Sequence, residues 1–182
     1  RRQRQMCIRD RFMNRLNILT FPDPRLRKKA VPITTFDKDL EKKAEDMLFT
    51  MYEDRGIGLA ATQVNIHERL IVMDLTEDRS DPLVIVNPSY EILDDSLEIS
   101  KEGCLSIPTF QQEVPRAKEI ELTYQDLKGQ KQKLIADGLL GYCIQHEIDH
   151  LNGKLLVDYA SSLKRSRIKE KLMKSKDGKN KN

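Results

Sequence analysis

Cysteine and histidine are scarce in this chain of 182 residues, and long apolar runs are absent. Three scattered cysteines are too few for a disulfide framework, so a reducing compartment is the expected setting. No apolar run approaches the ~18 residues that a membrane-spanning helix needs. The basic start of the sequence lacks the apolar stretch of a secretory signal. We therefore expect a soluble protein of the cytoplasm, with one domain around a single hydrophobic core.

Charge is distributed unevenly along the chain. Residues 164–182 carry nine lysines and arginines against two acids, whereas residues 12–163 have a net charge of −8. A basic tail on an acidic body is typical of a segment that binds a polyanion. A solvated terminal helix would explain the same charges equally well.

The first residues differ from the rest of the chain. Residues 1–12 show no periodicity, and "QMCIRDR" is similar to translated sequencing-adapter sequence. We interpret residues 1–12 as a non-native leader and Met13 as the natural start. The expected division is then a catalytic domain over residues 13–163 and a basic helix or tail over residues 164–182.

Hydrophobic periodicity predicts two internal helices. Apolar residues recur at helical spacing over residues 37–53, where Asp37 or Thr35 can cap the first turn. A second apolar helix is predicted over residues 139–151, after Asp137 and Gly138.

Between and before these helices, the pattern favours extended chain. Three prolines predict an extended segment over residues 18–33. Short β-rich runs occur at residues 69–76 and 82–88, and alternation on both sides of "LKGQ" predicts a hairpin over residues 119–136. Together the elements indicate an α+β fold, with antiparallel strands around a central metal-binding helix and a further helix at the C-terminus.

Two histidines stand four positions apart in "CIQHEIDHLNG", residues 143–153. On a helix, His146 and His150 share one face and lie about 6 Å apart along the axis, so both can bind one ion. Glu147 is turned about 100° from His146, which places it beside the ion as a base rather than as a ligand. The spacing therefore predicts a metal site on this helix.

A metal site needs a third ligand besides His146 and His150, and several residues are candidates. The extended metalloprotease pattern requires histidine at position 156, where Leu156 stands instead. Asp158 or Glu170 is conceivable, but little chain follows His150 to form the second lobe that supplies such a ligand. His67 lies in a polar turn, and we expect it to be solvated.

Cysteine offers another donor. Cys143 precedes His150 by seven residues, or ~10 Å along the axis, so a place in the pocket wall suits it better. Cys104 lies in "KEGCLSIP", where Gly103 and Pro108 indicate a bent backbone that can approach the helix from the side. A set of two histidines and Cys104 leaves a fourth position for water, which is typical of a catalytic site.

Three motifs carry a resemblance to a known family: "GIGLAATQ" (56–63), "EGCLS" (102–106) and "QHEIDH" (145–150), preceded by "PDPRLR". In this order and spacing, the chain closely resembles bacterial-type peptide deformylases over nearly its whole length. Thr62 stands where proline often precedes the glutamine in this family. The resemblance implies an enzyme that removes the formyl group from the N-terminal methionine of newly made polypeptides, releasing formate.

The resemblance also implies roles for individual residues. Cys104, His146 and His150 would bind the metal, and Glu147 would act as general base and acid. The ion would be Fe²⁺, with Zn²⁺, Ni²⁺ or Co²⁺ as substitutes, since mixed imidazole and thiolate ligands fit all of them. The expected mechanism is attack of metal-bound hydroxide on the formyl carbon, with proton transfer through Glu147.

Further roles concern the substrate. The side-chain amide of Gln63 and the N–H of Leu105, the family's donors, would stabilise the charge on the carbonyl oxygen. Peptide backbone would pair with the 56–59 segment as an added strand, at Gly58 and Leu59. An ion pair between Glu102 and Arg116 would fix the loop that carries the thiolate of Cys104. The expected wall of the methionine slot consists of Ile57, Leu139 and Cys143, with Tyr142 as a further candidate.

The tail fits the same resemblance. Residues 161–176 are predicted to form a helix with Leu163, Ile168 and Leu172 inward. Similar family members dock such a helix on the ribosome near the exit of the nascent chain. The absence of a transit-like segment after Met13 favours a bacterial cytoplasm, and without a long apolar run we expect no membrane partner. Two alternatives remain. A zinc peptidase would need a downstream ligand, and a metal-stabilised ribosome-binding module would leave Glu147 and Gln63 without a role.

Overall fold

The computed structural model describes residues 13–179, the last four of them by their backbone alone. The predicted leader, residues 1–12, and the last three residues of the tail lie outside the described part of the chain. Among residues 13–179, none of the helices combines the length and the hydropathy of a membrane-spanning segment.

The described residues form three α-helices. Helix α1 spans Lys38–Glu53, α2 spans Gly138–Leu151 and α3 spans Ser162–Lys179. The two predicted internal helices are therefore confirmed to within one residue at each end. The carboxylate of Asp37 accepts a hydrogen bond from the N–H of Leu40 at 3.0 Å, which satisfies a donor in the first turn of α1.

In this part of the chain, five antiparallel strands form one sheet in the order β1-β2-β3-β4-β5. Strand β1 spans Gly58–Ala60, β2 Leu70–Met73, β3 Leu83–Gly103, β4 Gln111–Gln125 and β5 Lys131–Asp137. The hairpin predicted around "LKGQ" is the β4–β5 pair, in which Gly129 takes a φ of +76° at the turn. The α+β architecture is confirmed.

Strand β3 is much longer than its sequence pattern predicted. The expected run ended at residue 88, whereas the strand continues to Gly103. Its pairing with β4 shifts register at three places between Val86 and Leu97. Each shift interrupts the alternation of inward and outward side chains, and this alternation was the signal used to recognise strands.

The sheet buries side chains on both of its faces. All four residues of β2 are fully buried, with Ile71 and Met73 in a cluster beneath α2 and Leu70 and Val72 in a cluster beneath α1. Since side chains alternate along a strand, a continuous apolar run fits a strand covered on both faces. Helix α2 is therefore packed in the interior, where its polar residues must find partners within the protein.

Helix α3 packs two apolar residues against the domain. Ile168 and Leu172 are buried in a third cluster, which also contains Ile107 and Leu156. The prediction that Leu163 points inward is wrong, because its side chain is 61% exposed. Ile168 and Leu172 are four residues apart and share a face, whereas Leu163 precedes Ile168 by five residues and is turned away.

Candidate metal centre and substrate cavity

Cys104, His146 and His150 converge at one point of the structure. One donor atom from each residue lies within 4.8 Å of the donor atoms of the other two. The Sγ of Cys104 is 3.2 Å from Nε2 of His150. The two histidines lie on α2, and Cys104 follows the end of β3 in a bent segment, so the cysteine approaches the helix from the side.

The orientation of His146 is set by a carboxylate. Its Nδ1–H donates to Oε2 of Glu102 at 2.8 Å, since the carboxylate can only accept, and this leaves Nε2 free to bind an ion. Arg116 in turn donates to both oxygens of Glu102, at 2.8 and 2.9 Å. Burial alone would raise the pKa of Glu102, but Arg116 and His146 together lower it to about 2.

The expected ion pair between Glu102 and Arg116 is thus present, and Arg116 has two further partners. Besides Glu102, Arg116 donates to Asp149 at 2.7 Å and to the hydroxyl of Tyr159 at 3.1 Å. Sequence reasoning missed Asp149 and Tyr159. Asp149 stands within the "QHEIDH" motif, three residues after His146, but nothing in the sequence pattern points to Tyr159.

Gln63 is held with its amide group turned towards the sulfur of Cys104. Its Oε1 accepts from the N–H of Ala60 at 2.9 Å, so the opposite end of the amide presents donors. Its Nε2 lies 3.1 Å from Oγ of Ser106 and 3.6 Å from Sγ of Cys104. Leu105 follows this cysteine, and within the described chain its N–H has no hydrogen-bond acceptor.

The short helical turn that carries Gln63 is tied to α2 by its neighbour. The hydroxyl of Thr62 donates to the carbonyl oxygen of His150 at 3.1 Å and is fully buried. Proline at this position would lack that hydroxyl. The threonine therefore supplies a direct connection between the turn and the metal-binding helix.

Glu147 is buried beside the three candidate ligands. Its side chain is 4% exposed, and its Oε2 has no hydrogen-bond partner among the described residues. Burial raises the pKa of Glu147 to about 7. A carboxyl group with this pKa can both accept and release a proton near neutral pH.

A cavity of about 1220 Å³ opens onto these residues. Ile57, Leu139, Tyr142 and Cys143 contribute to its lining. Leu59 does not, because its side chain is fully buried in the cluster beneath α1, on the opposite face of the strand.

Two unpaired strand edges border the cavity. The N–H of Asp74 donates to the carbonyl of Ile57 at 2.9 Å, and the register pairs Leu59 with Val72. Since hydrogen-bonded pairs alternate along an antiparallel ladder, Leu59 bonds to β2, and the N–H and C=O of Gly58 point away from it. On the other side of the cavity, residues 100–103 of β3 contribute to the lining, and within residues 13–179 they pair only with β4.

The other ligand candidates do not join the centre. The carboxylate of Asp158 accepts from Arg27 at 2.8 Å, and Glu170 is exposed on α3. The expectation that His67 is solvated is wrong, since both of its ring nitrogens are shielded from solvent without a partner among the described residues. Burial, followed by the charges of Lys28 and Arg25, lowers the pKa of His67.

The three converging residues fit a metal ion by their chemistry. A thiolate and two imidazoles are ligands that Fe²⁺, Zn²⁺, Ni²⁺ and Co²⁺ accept. Burial lowers the pKa of His150 well below its ordinary value, which favours the neutral imidazole that binds metals. With Glu147 alongside, these three residues as ligands would leave coordination space open, as in catalytic rather than structural sites.

Gln145 is a further residue that sequence reasoning missed. Its Oε1 accepts from the N–H of Ala117 at 3.1 Å, and its Nε2 donates to the C=O of Ala117 at 3.0 Å. Strand β5 pairs with β4 only from Glu119 onwards, so the amide of Gln145 continues the ladder where β5 has ended. This contact attaches the metal-binding helix to the sheet.

Comparisons with known proteins agree with this geometry. The sequence profile of the family "Polypeptide deformylase" matches residues 15–166. A peptide deformylase of Stutzerimonas stutzeri is 57% identical over 159 residues, which is 87% of this chain and 95% of that protein.

Solved structures give the same result. The crystal structure of a peptide deformylase from Legionella pneumophila has a TM-score of 0.86 at 42% identity, and the match covers 93% of this chain and 99% of that one. A peptide deformylase from Synechococcus elongatus in complex with actinonin has a TM-score of 0.79 at 44% identity, covering 86% and 85% of the two chains. The chain therefore belongs to the polypeptide deformylase family, and it is a hydrolase that acts on the formyl amide.

Proposed function

We propose that this protein removes the formyl group from the N-terminal formylmethionine of nascent polypeptides and releases formate, in the cytoplasm of a bacterium. The observation that carries the proposal is the convergence of Cys104, His146 and His150 next to buried Glu147, at a cavity bordered by two free strand edges. The catalytic domain would comprise residues 13–163 and the tail residues 164–182.

Cys104, His146 and His150 would hold the ion. We propose Fe²⁺, with Zn²⁺, Ni²⁺ or Co²⁺ as possible substitutes, because all of these accept thiolate and imidazole ligands. When bound, the ion supplies Lewis acidity, which polarises a carbonyl oxygen and lowers the pKa of water.

Glu147 would move the proton. Its unpartnered Oε2 is free to accept a proton from the attacking water, and the same carboxyl group can then deliver it to the leaving amine. The pKa of about 7 suits both steps, since neither the acid nor the carboxylate form is strongly disfavoured near neutral pH.

Gln63 and Leu105 would stabilise the charge that develops on the formyl oxygen. The Oε1 of Gln63 is engaged by Ala60, so its Nε2 remains the end that can donate. The N–H of Leu105 has no competing acceptor within the described chain. Removing one such donor costs about 10²–10³-fold in rate in related chemistry.

The substrate would lie extended between the two free strand edges. The N–H and C=O of Gly58 can pair with its main chain on one side, and residues 100–103 border the other side. Ile57, Leu139 and Cys143 would form the apolar wall for the methionine side chain. Exposed Ile57 and Leu139, at 45% and 58%, would lose contact with water when the substrate binds.

Helix α3 would dock on the ribosome near the exit of the nascent chain. Arg167, Lys169 and Lys174 are exposed, and within the described chain none of them has an ion-pair partner. Because Ile168 and Leu172 are packed in the core, deletion of the tail would disturb the domain, and neutralising the three charges is the cleaner test. Replacement of all three by Gln should weaken ribosome association in a salt-dependent way, whereas replacing Lys38, Lys128 and Lys131 should not.

The first test of the activity is release of formate from formyl-Met-Ala-Ser by anaerobically purified protein, with metal quantified in the same sample. Formate release that follows iron content would support both the reaction and the ion. Bound metal without formate release would contradict the proposal, and cleavage of unformylated peptides would then favour the zinc peptidase alternative.

A further inference from the structure

Hydrogen bonds connect the candidate metal ligand His146 to an aromatic residue near the end of the domain. Glu102 accepts from His146 at 2.8 Å and from Arg116 at 2.8 and 2.9 Å. Arg116 donates onwards to Asp149 at 2.7 Å, and the hydroxyl of Tyr159 also donates to Asp149 at 2.7 Å. The connection thus joins residues from β3, β4, α2 and the turn before α3.

The hydroxyl of Tyr159 occupies the outer end of this connection. It accepts from Nη1 of Arg116 at 3.1 Å and from Nζ of Lys154 at 2.5 Å, while it donates to Asp149. The ring of Tyr159 lies 5.2 Å from the guanidinium carbon of Arg116, within the range of a cation–π contact. Tyr159 therefore contacts Arg116 with both its hydroxyl and its ring.

The position of Arg116 depends on these outer contacts. The side chain is 4% exposed, so its N–H groups cannot turn to water without leaving the site. Two donors are used on Glu102, and the orientation of the remaining end is set by Asp149 and Tyr159. A planar guanidinium moves as one unit, so freedom at Nη1 also loosens the two bonds to Glu102.

We propose that Tyr159 is a positioning residue for the metal centre. Its hydroxyl and ring hold Arg116, Arg116 holds Glu102, and Glu102 orients His146 so that Nε2 faces the ion. This inference rests on the proposed role of His146 as a ligand. The partners of metal-bound histidines typically contribute 10–100-fold to metal affinity or activity.

The test is the rate at which the metal-loaded full chain loses its ion to a chelator. For Tyr159→Phe, which keeps the ring and removes the hydroxyl, we expect loss about 10-fold faster than in the wild type. The matched control is Tyr52→Phe. The hydroxyl of Tyr52 also donates to a carboxylate, that of Asp74, at 2.7 Å, but it lies on α1 and outside this connection.

Both substitutions remove a 2.7 Å hydrogen bond from a tyrosine hydroxyl to a carboxylate, and Tyr159→Phe also removes the bonds that this hydroxyl accepts from Arg116 and Lys154. Urea unfolding of both variants therefore measures the general loss of stability separately from metal release. Only Tyr159→Phe should accelerate metal release, and only this variant should shift the absorption bands of the cobalt-loaded protein. Equal release rates and equal cobalt spectra in the two variants would overturn the role of Tyr159. A wild-type chain that binds no stoichiometric ion would overturn the metal centre itself.

Discussion

The carboxylate of Glu147 occupies the space where a side chain at position 58 would begin. A Cβ atom on Gly58 would lie 2.7 Å from Oε1 of Glu147 and 2.8 Å from Sγ of Cys143. Such distances are far below van der Waals contact, so these side chains would have to move. The glycine therefore brings the strand edge and the proposed base into direct contact.

Substitution of Gly58 by Ala should displace Glu147. We expect turnover to fall on the order of 10²-fold, because catalysis depends on sub-ångström placement of the reacting groups. Overpacking should also lower the free energy of unfolding by about 1–3 kcal/mol. Steady-state kinetics and urea unfolding measure the two effects. Turnover within threefold of wild type would show that Glu147 tolerates displacement or is not the base.

Substitution of Glu147 by Gln should separate metal binding from catalysis. The amide keeps the shape of the side chain but cannot accept the proton, so turnover should fall by ~10²–10⁴-fold. Metal content, measured on the same sample, should match that of the wild type. Persistent turnover would exclude Glu147 as general base, and loss of metal would indicate that Glu147 also acts as a ligand.

Removal of the metal should destabilise the fold. An ion that binds only the folded chain adds about 2.7 kcal/mol when its free concentration is 100 times its Kd. We expect chelation to lower the Tm of the wild type and addition of Zn²⁺ to restore it. Cys104→Ala should show neither change. A wild-type Tm that is insensitive to chelator would contradict binding at these residues.

Truncation of Gln145 should destabilise the attachment of α2 to the sheet. Gln145→Ala leaves the buried N–H and C=O of Ala117 without partners, and each such group typically costs about 1–3 kcal/mol. We therefore expect a loss of about 2 kcal/mol or more in urea unfolding. The control Gln130→Ala, at an exposed turn residue, should stay within about 0.5 kcal/mol.

Asp74 should contribute to the acid sensitivity of the fold. Burial alone would raise its pKa, but hydrogen bonds from Thr76 and Tyr52 outweigh it and lower the pKa of Asp74 from its ordinary value of 3.8. A depressed pKa gives stability that is present above pH 3.8 and is lost as pH falls through the folded-state pKa. Asp74→Asn should therefore lose less stability than the wild type between pH 5 and pH 3, as measured by urea unfolding. Parallel losses would contradict this assignment.

The sequence allowed the local part of the centre to be predicted. His146, Glu147 and His150 lie within one helical turn, so their spacing alone sets their relative positions. Cys104 is 46 residues from His150, and only the bent context and the family motif pointed to it. Contacts such as Arg116 with Tyr159 or Gln145 with Ala117 connect elements through tertiary packing, which leaves no periodic signal in either segment.

Helix α3 is packed against the domain by Ile168 and Leu172, which lie in the same cluster as Ile107. Ile107 also lines the cavity beside Glu147, so the C-terminal helix and the cavity lining share one cluster of packed side chains. A partner that binds the exposed side of this helix would therefore be rigidly connected to the domain. It would fix the direction in which the cavity faces, and with it the angle from which a chain end can enter.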